Sequence, residues 1–91
     1  MRYKVFLDRK ALKNLEDIES DISDSIMNRI IKLKDGFLPE LDIKKLKGYS
    51  NHYRLRIGKY RVLFQLQKDH VIIIYAILPR KKAYKWSHYL F

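Results

Sequence analysis

The chain has no cysteine, so neither a disulfide framework nor a thiolate metal site is available to it. Its three histidines, His52, His70 and His88, lie far apart, and a zinc site built from them is not expected. No metal and no cofactor is implied by any other residue pattern. Proline occurs twice and glycine three times, and no repeat or low-complexity tract interrupts the 91 residues. One domain spanning 1–91 is expected, because a linker between two cores would not fit. The longest apolar run, Val71 to Leu78, falls far short of the roughly 20 residues a membrane span needs. Lys4, Asp8, Arg9 and Lys10 break up any signal-peptide core at the N-terminus, so a cytoplasmic protein without a membrane partner is expected.

Acidic residues are also scarce, but only in one half. Residues 1–40 hold eight basic and eight acidic side chains, whereas residues 41–91 hold twelve basic ones against Asp42 and Asp69 alone. The whole formal charge of +10 therefore sits in the second half. A solvated surface needs charge but has no need to segregate it. A one-sided cationic field points to an anionic partner, most often phosphate-rich nucleic acid. With 47% hydrophobic residues the chain still has enough apolar surface for a modest core.

The patterning predicts an α+β fold. Met1 to Leu7 alternates as a first strand. Asp8 is a helix N-cap for Arg9 to Glu19, and Ser20 or Asp21 caps a second helix reaching about Asp35, with Gly36 at its C-cap. Ile22, Ile26, Ile30 and Leu33 repeat at helical spacing, and the two helices are expected to form an antiparallel hairpin. Phe37 to Ser50 reads as irregular. Tyr53 to Ile57 and Tyr60 to Gln67 alternate around Gly58-Lys59, a sequence suited to a type II′ turn. Lys68-Asp69 makes a second turn before the apolar run ended by Pro79. An antiparallel sheet of about four strands and a basic C-terminal tail complete the expectation.

Register gives the charge a shape. Arg54 and Arg56 share one face of a strand, and a two-residue turn sets Arg56 opposite Arg61. Like charges opposed across strands cost from a few tenths to about 1 kcal/mol. Folding does not ask for that arrangement, while a bound polyanion would reward it. The same register, carried across the second turn, sets Arg61 near Ala76, and a chain extended past Leu78 gives Arg80 the parity of Arg54 and Arg56. Soluble sheet faces also carry arginines, so the pattern is specific in geometry without naming a reaction.

The run from His52 through Arg54, Arg56, Gly58, Tyr60 and Arg61 to Phe64 resembles the central motif of the RelE/ParE toxin superfamily. Lys45-Leu46-Lys47-Gly48 resembles the segment that precedes it in that family, and Arg80 to Tyr84 resembles the ending of RelE-like members. The resemblance implies a RelE-like fold and a type II toxin, held inactive by a cognate RelB-like antitoxin in a toxin–antitoxin complex, with a heterotetramer among its candidate forms. It implies a ribosome-dependent endoribonuclease, an mRNA interferase that cuts mRNA in the ribosomal A site by attack of the 2′-OH on the adjacent phosphate. ParE-like relatives share the fold and inhibit DNA gyrase instead. A non-catalytic nucleic-acid-binding module is the alternative that charge alone supports.

The resemblance also implies roles. Arg61 would stabilise charge on the phosphate, Arg80 would face the leaving group, and Tyr84 would act as base or orient the 2′-OH. Tyr84 has a structural alternative, anchoring the tail. Arg54 and Arg56 stand where studied RelE proteins carry lysines. They keep their charge and so suit phosphate binding, not general-base work. Lys44, Lys45 and Lys47 form a second basic cluster, and Lys81, Lys82 and Lys85 a third, both suited to RNA contacts whose strength falls with salt. His88 is the one histidine considered as an acid or base. Trp86, Tyr89 and Phe91 are read mainly as packing the tail on the sheet, with stacking on bases as the alternative.

Overall fold

Asp8 starts the helical layer. The computed structural model, which describes residues 2–83, has the Asp8 Oδ1 accepting a 2.8 Å hydrogen bond from the Ala11 N–H. That bond satisfies one of the orphan donors of α1 (Arg9–Glu16). Asp8→Ala is expected to cost about 1 kcal/mol, read as a lowered melting temperature. The helix ends three residues before the expected Glu19, because Asp17 to Glu19 is needed for the connection to α2 (Ser20–Lys32). Neither Ser20 nor Asp21 caps α2; Glu19 holds that position without a side-chain bond. A 3-10 turn over Leu33–Asp35 finishes the helix, and Gly36 follows at φ 101°, where a side chain would be strained.

Five strands form one mixed sheet in the order β1-β5-β4-β3-β2. They are β1 (Lys4–Leu7), β2 (Asp42–Lys45), β3 (His52–Ile57), β4 (Tyr60–Gln67) and β5 (Val71–Pro79), followed by the four-residue helix α3 (Arg80–Ala83). The strand β2 lies inside the segment read as irregular. It is four residues long and pairs on one side only, so it lacks the apolar alternation that marks an inner strand. The strand β1 runs parallel to β5, Val5 beside Ile72, while the other three pairings are antiparallel. Past the end of β1, the Asn14 Oδ1 on α1 accepts the Ile77 N–H at 3.1 Å, so a side chain satisfies a β5 donor.

The helices cover one face of this sheet. Ala11 from α1 and Ile26 and Ile30 from α2 are buried against Leu55, Val62, Phe64, Ile72, Ile74 and Ile77. Phe64 is fully buried and meets Phe37 edge-on at 5.7 Å and Tyr53 in a stacked pair at 5.6 Å. On β5 the inward residues change parity between Ile74 and Ile77, which marks a β-bulge. Phe64 pairs with Ile74, but Leu63 pairs with Ala76, and Tyr75 is the extra residue.

That bulge corrects the register expected across the second hairpin. Arg61 lies opposite Leu78, not Ala76. The connection holds three residues, Lys68 to His70, with Asp69 and His70 at φ 62° and 60°, which moves the pairing by one; the bulge moves it by one more. Nor does the chain stay extended to Arg80. It turns into α3, and the Arg80 N–H donates to the Lys59 carbonyl at 2.7 Å.

Candidate nucleic-acid interface

The first hairpin has the expected register, with Ile57 opposite Tyr60 and Arg56 opposite Arg61. Gly58 takes φ 55°, and no other turn residue there has a positive φ, as a type II′ turn requires. Since Leu55, Val62 and Phe64 face the helices, Arg54, Arg56 and Arg61 project from the opposite face. The bond from Arg80 N–H to the hairpin turn brings the last arginine to the same end of the sheet. The Arg61 guanidinium has its pKa lowered, first by burial and then by the charges of Arg56, Arg54 and Arg80. It remains charged at neutral pH, and its surroundings are short of negative charge.

The arginines are not equivalent. Arg54 is 8% exposed, and its Nη1 donates to the Asp42 carbonyl at 2.8 Å and to Asp42 Oδ1 at 3.0 Å. Arg56 lies 4.0 Å from Asp42 Oδ2 and is half exposed. Among the described residues Arg61 donates only to backbone carbonyls, those of Gly58 at 3.1 Å and Tyr60 at 3.0 Å. A phosphate arriving on this face meets Arg61 with no carboxylate to displace, whereas Arg54 is already spent on an internal pair. Lys44, opposite Arg54, and Lys45 and Lys47 are exposed along β2 and the loop after it. Lys81 and Lys82 are exposed on α3. Tyr84 lies outside the described residues, as do Lys85, Trp86, His88, Tyr89 and Phe91.

Asp42 is the residue that sequence reasoning passed over as a mere scarce acid. The hydrogen bond from Arg54 holds its carboxyl below the usual 3.8, helped by the charges of Arg54, Arg56 and Lys44 and opposed by desolvation. A carboxylate so stabilised is a poor general base. Its depressed pKa stabilises the fold above the unfolded value of 3.8, and that contribution disappears as pH falls through the folded value. Asp42→Asn is therefore expected to lose about 1 kcal/mol at neutral pH, a modest figure because half-exposed pairs are screened. The gap from the unmodified protein should close on acidification below 3.8, as read by urea denaturation across pH.

A second group was also missed. His52 shares the parity of Arg54 and Arg56, and its Nδ1 lies 3.0 Å from the Tyr75 hydroxyl. Tyr49 packs on the same imidazole, ring centres 5.5 Å apart. His52 could have been found from its parity alone. Tyr75 could not, because its face is set by the three-residue connection Lys68–His70, which is one residue longer than the expected turn.

A cleft of about 560 Å³ lies between α2 and the hairpin tip. Asp21, Arg29, Glu40, Asp42, Arg56 and Lys59 share its wall. Such mixed charge suits a polyanion less well than the arginine face does. Among the described residues no three His, Asp or Glu side chains gather to hold a metal, and no helix is long and apolar enough to cross a membrane.

A helix pair on one side of a mixed sheet, with clustered arginines on the other, defines a small α+β protein with a cationic sheet face. Comparison with known proteins narrows the class. Residues 5–84 match the family described as the ParE toxin of type II toxin–antitoxin system, parDE. RelE1 of Methanocaldococcus jannaschii is 39% identical over 88 residues, covering 93% of this chain and 98% of RelE1. The RelB-RelE antitoxin–toxin complex from Methanococcus jannaschii matches with a TM-score of 0.77 at 31% identity, over 89% of this chain and 96% of that one. The archaeal RelE-RelB complex from Pyrococcus horikoshii OT3 matches at 0.76 and 30%, over 91% and 100%. The chain belongs to the RelE/ParE family of toxins of type II toxin–antitoxin systems.

Proposed function

We propose that this toxin is a ribosome-dependent endoribonuclease that cuts mRNA in the A site and is restrained by a RelB-like antitoxin. The observation that carries this reading is the convergence of Arg56 and Arg80 on Arg61, whose guanidinium hydrogen-bonds no carboxylate among the described residues and feels Asp42 only as the weakest of its charged neighbours. In the reaction the 2′-oxygen attacks the adjacent phosphorus and the P–O5′ bond breaks. The products are a 2′,3′-cyclic phosphate and a 5′-hydroxyl; one proton leaves the 2′-OH and one reaches the 5′-oxygen. Negative charge grows on the non-bridging oxygens at the pentavalent stage, where Arg61 offers a preorganised planar donor. Arg80 serves the leaving-group side, Arg56 and Arg54 hold the field positive, and the exposed lysines add salt-sensitive affinity for RNA. Tyr84 takes the base or orienting role. With Asp42 held as an anion by Arg54, the described part of the face offers no good carboxylate base. That poverty suits an enzyme which borrows help from the ribosome.

Primer extension on mRNA from cells expressing the toxin tests the reading. Cuts inside codons, with cyclic phosphate ends and an immediate stop in protein synthesis, are expected. The ParE description of the matched family favours a second reading, inhibition of DNA gyrase. Intact mRNA together with a DNA-damage response would replace the first reading with this one. A small acidic protein encoded immediately upstream is the expected antitoxin.

A further inference from the structure

Asp42 and Asp69 are the only acids in the second half of the chain, and they stand at opposite ends of the sheet. Asp69 lies in the connection from β4 to β5, away from the arginines. Asp42 lies among them. Across the sheet it pairs with Arg56, and Arg56 pairs with Arg61, so one row reads acid, arginine, arginine. Lys44 and Arg54 pair in the next row of the same face. The Asp42 carboxylate bridges two guanidiniums, with Oδ1 3.0 Å from Arg54 Nη1 and Oδ2 4.0 Å from Arg56 Nη1. A phosphate gripped by two arginines presents its oxygens in the same way.

Holding β2 in place does not account for the whole arrangement. Arg54 alone ties that strand, through the Asp42 carbonyl at 2.8 Å and the carboxylate at 3.0 Å, and its side chain is 10% exposed. Arg56 adds little to that, because an exposed pair at 4.0 Å is screened by water. Its side chain is 55% exposed and that of Asp42 48%, so both groups are open to an incoming anion. Asp42 also lies two strands from Arg61, about 10 Å at about 4.8 Å per strand, within the roughly 10 Å over which charges act at moderate salt. The acid therefore opposes every phosphate that approaches the row. A codon held by the ribosome withstands that loss because other contacts hold it too, whereas a free strand has only this face.

We propose that Asp42 is a selectivity residue: its carboxylate keeps the place of an RNA phosphate beside Arg56, and a strand occupies that place only by displacing it. The inference rests on the RNA-cleaving reading, and it explains how a strongly cationic face avoids holding every RNA it meets. The competition falls at Arg56 and leaves Arg61 for the reacting phosphate. Asp42 acts through Arg56 and does not touch the reacting atoms.

The test measures the affinity of the full-length toxin for a short oligouridylate by fluorescence anisotropy across salt, beside codon cleavage on programmed ribosomes. The oligouridylate carries 2′-O-methyl groups, so it is bound and not cut. Asp42→Asn keeps an oxygen for the Arg54 donor and loses only the charge, so the variant stays folded in the assay. It is expected to bind about fivefold more tightly at about 100 mM salt, with a salt slope steeper by about 0.7. A purely structural role would weaken binding instead. Asp42→Glu, which keeps the charge, should gain less than about twofold. In an Arg56→Gln background the gain from Asp42→Asn should vanish. Asp24→Asn on α2 makes the same change in net charge and is expected to bind as the unmodified toxin does. Unchanged or weaker binding by Asp42→Asn overturns the proposal, as does an equal gain from Asp24→Asn or a gain that survives the loss of Arg56. If any of these occurs while the unmodified toxin cuts codons, the RNA-cleaving reading stands. An unmodified toxin that cuts no codon overturns that reading, and the selectivity role with it.

Discussion

Arg61→Ala is expected to lower single-turnover cleavage of an A-site codon by about 10²–10³-fold, the range found when one preorganised oxyanion donor is removed. The size follows from the division of labour among the arginines. Arg54 is tied to Asp42 by two hydrogen bonds, so removing it damages the β2–β3 edge before it damages chemistry. Among the described residues Arg61 is tied only to the carbonyls of Gly58 and Tyr60, and three other guanidiniums crowd its charge. Those neighbours repel it in the free protein and are repaid only when a phosphate arrives. Arg61→Ala should consequently melt no lower than the unmodified toxin, since a like-charge cross-strand pair is removed. A variant that is at least as stable, bound by antitoxin as before, and yet inactive separates chemistry from folding. Arg61→Lys keeps the charge without the planar fork, and an intermediate rate is expected of it. Cleavage by Arg61→Ala within threefold of the unmodified rate would move the transition-state role to another residue.

Arg56 and Arg61 were legible as a pair in sequence because one short hairpin fixes their register. Gly58 dictates the turn, and alternation on both strands dictates the faces. Asp8, Gly36 and the helix pair were legible for the same reason: each depends on a few adjacent residues. What sequence hid was non-local. The bulge at Tyr75 and the left-handed His70 changed the partner of Arg61 from Ala76 to Leu78. Nothing in the sequence of β5 announces an extra residue, since that strand is apolar at both parities. The parallel pairing of β1 with β5 and the short edge strand β2 depend on docking against distant chain. Without β2, Asp42 looked like a stray acid, and its hold on Arg54 could not be read. The candidate site is thus a locally encoded cationic hairpin completed by non-local partners. Asp42 constrains it at one edge, Arg80 closes it at the turn, and the Tyr75–His52 bond crosses it.

Phe64→Ala is expected to destabilise the toxin by about 3–5 kcal/mol, the usual cost of emptying a fully buried aromatic site. β4 is the middle strand, so a cavity there has no free edge through which the sheet can collapse. Phe64 is fully buried, and its ring joins Phe37, Tyr53 and, through Phe37, Tyr3 in one aromatic cluster. Aromatic pairs add about 0.5–1.5 kcal/mol beyond their buried area, so the upper half of the range is the better expectation. Phe64 also pairs with Ile74 immediately before the bulge, and Leu63 with Ala76 immediately after it. Loosening that point frees the register that sets Arg61 beside Leu78 and Tyr75 beside His52. Small domains hold only about 5–15 kcal/mol in total, so the variant should be largely unfolded at 37 °C and non-toxic with every arginine intact. Bound antitoxin stabilises only the folded toxin, so co-expression should recover soluble protein without recovering toxicity. Urea denaturation gives the measurement: a midpoint shift equivalent to less than about 1.5 kcal/mol at unchanged slope would mean that the helix layer settles into the space. Phe64→Leu, which keeps most of the volume, should cost less than half as much and retain codon cleavage.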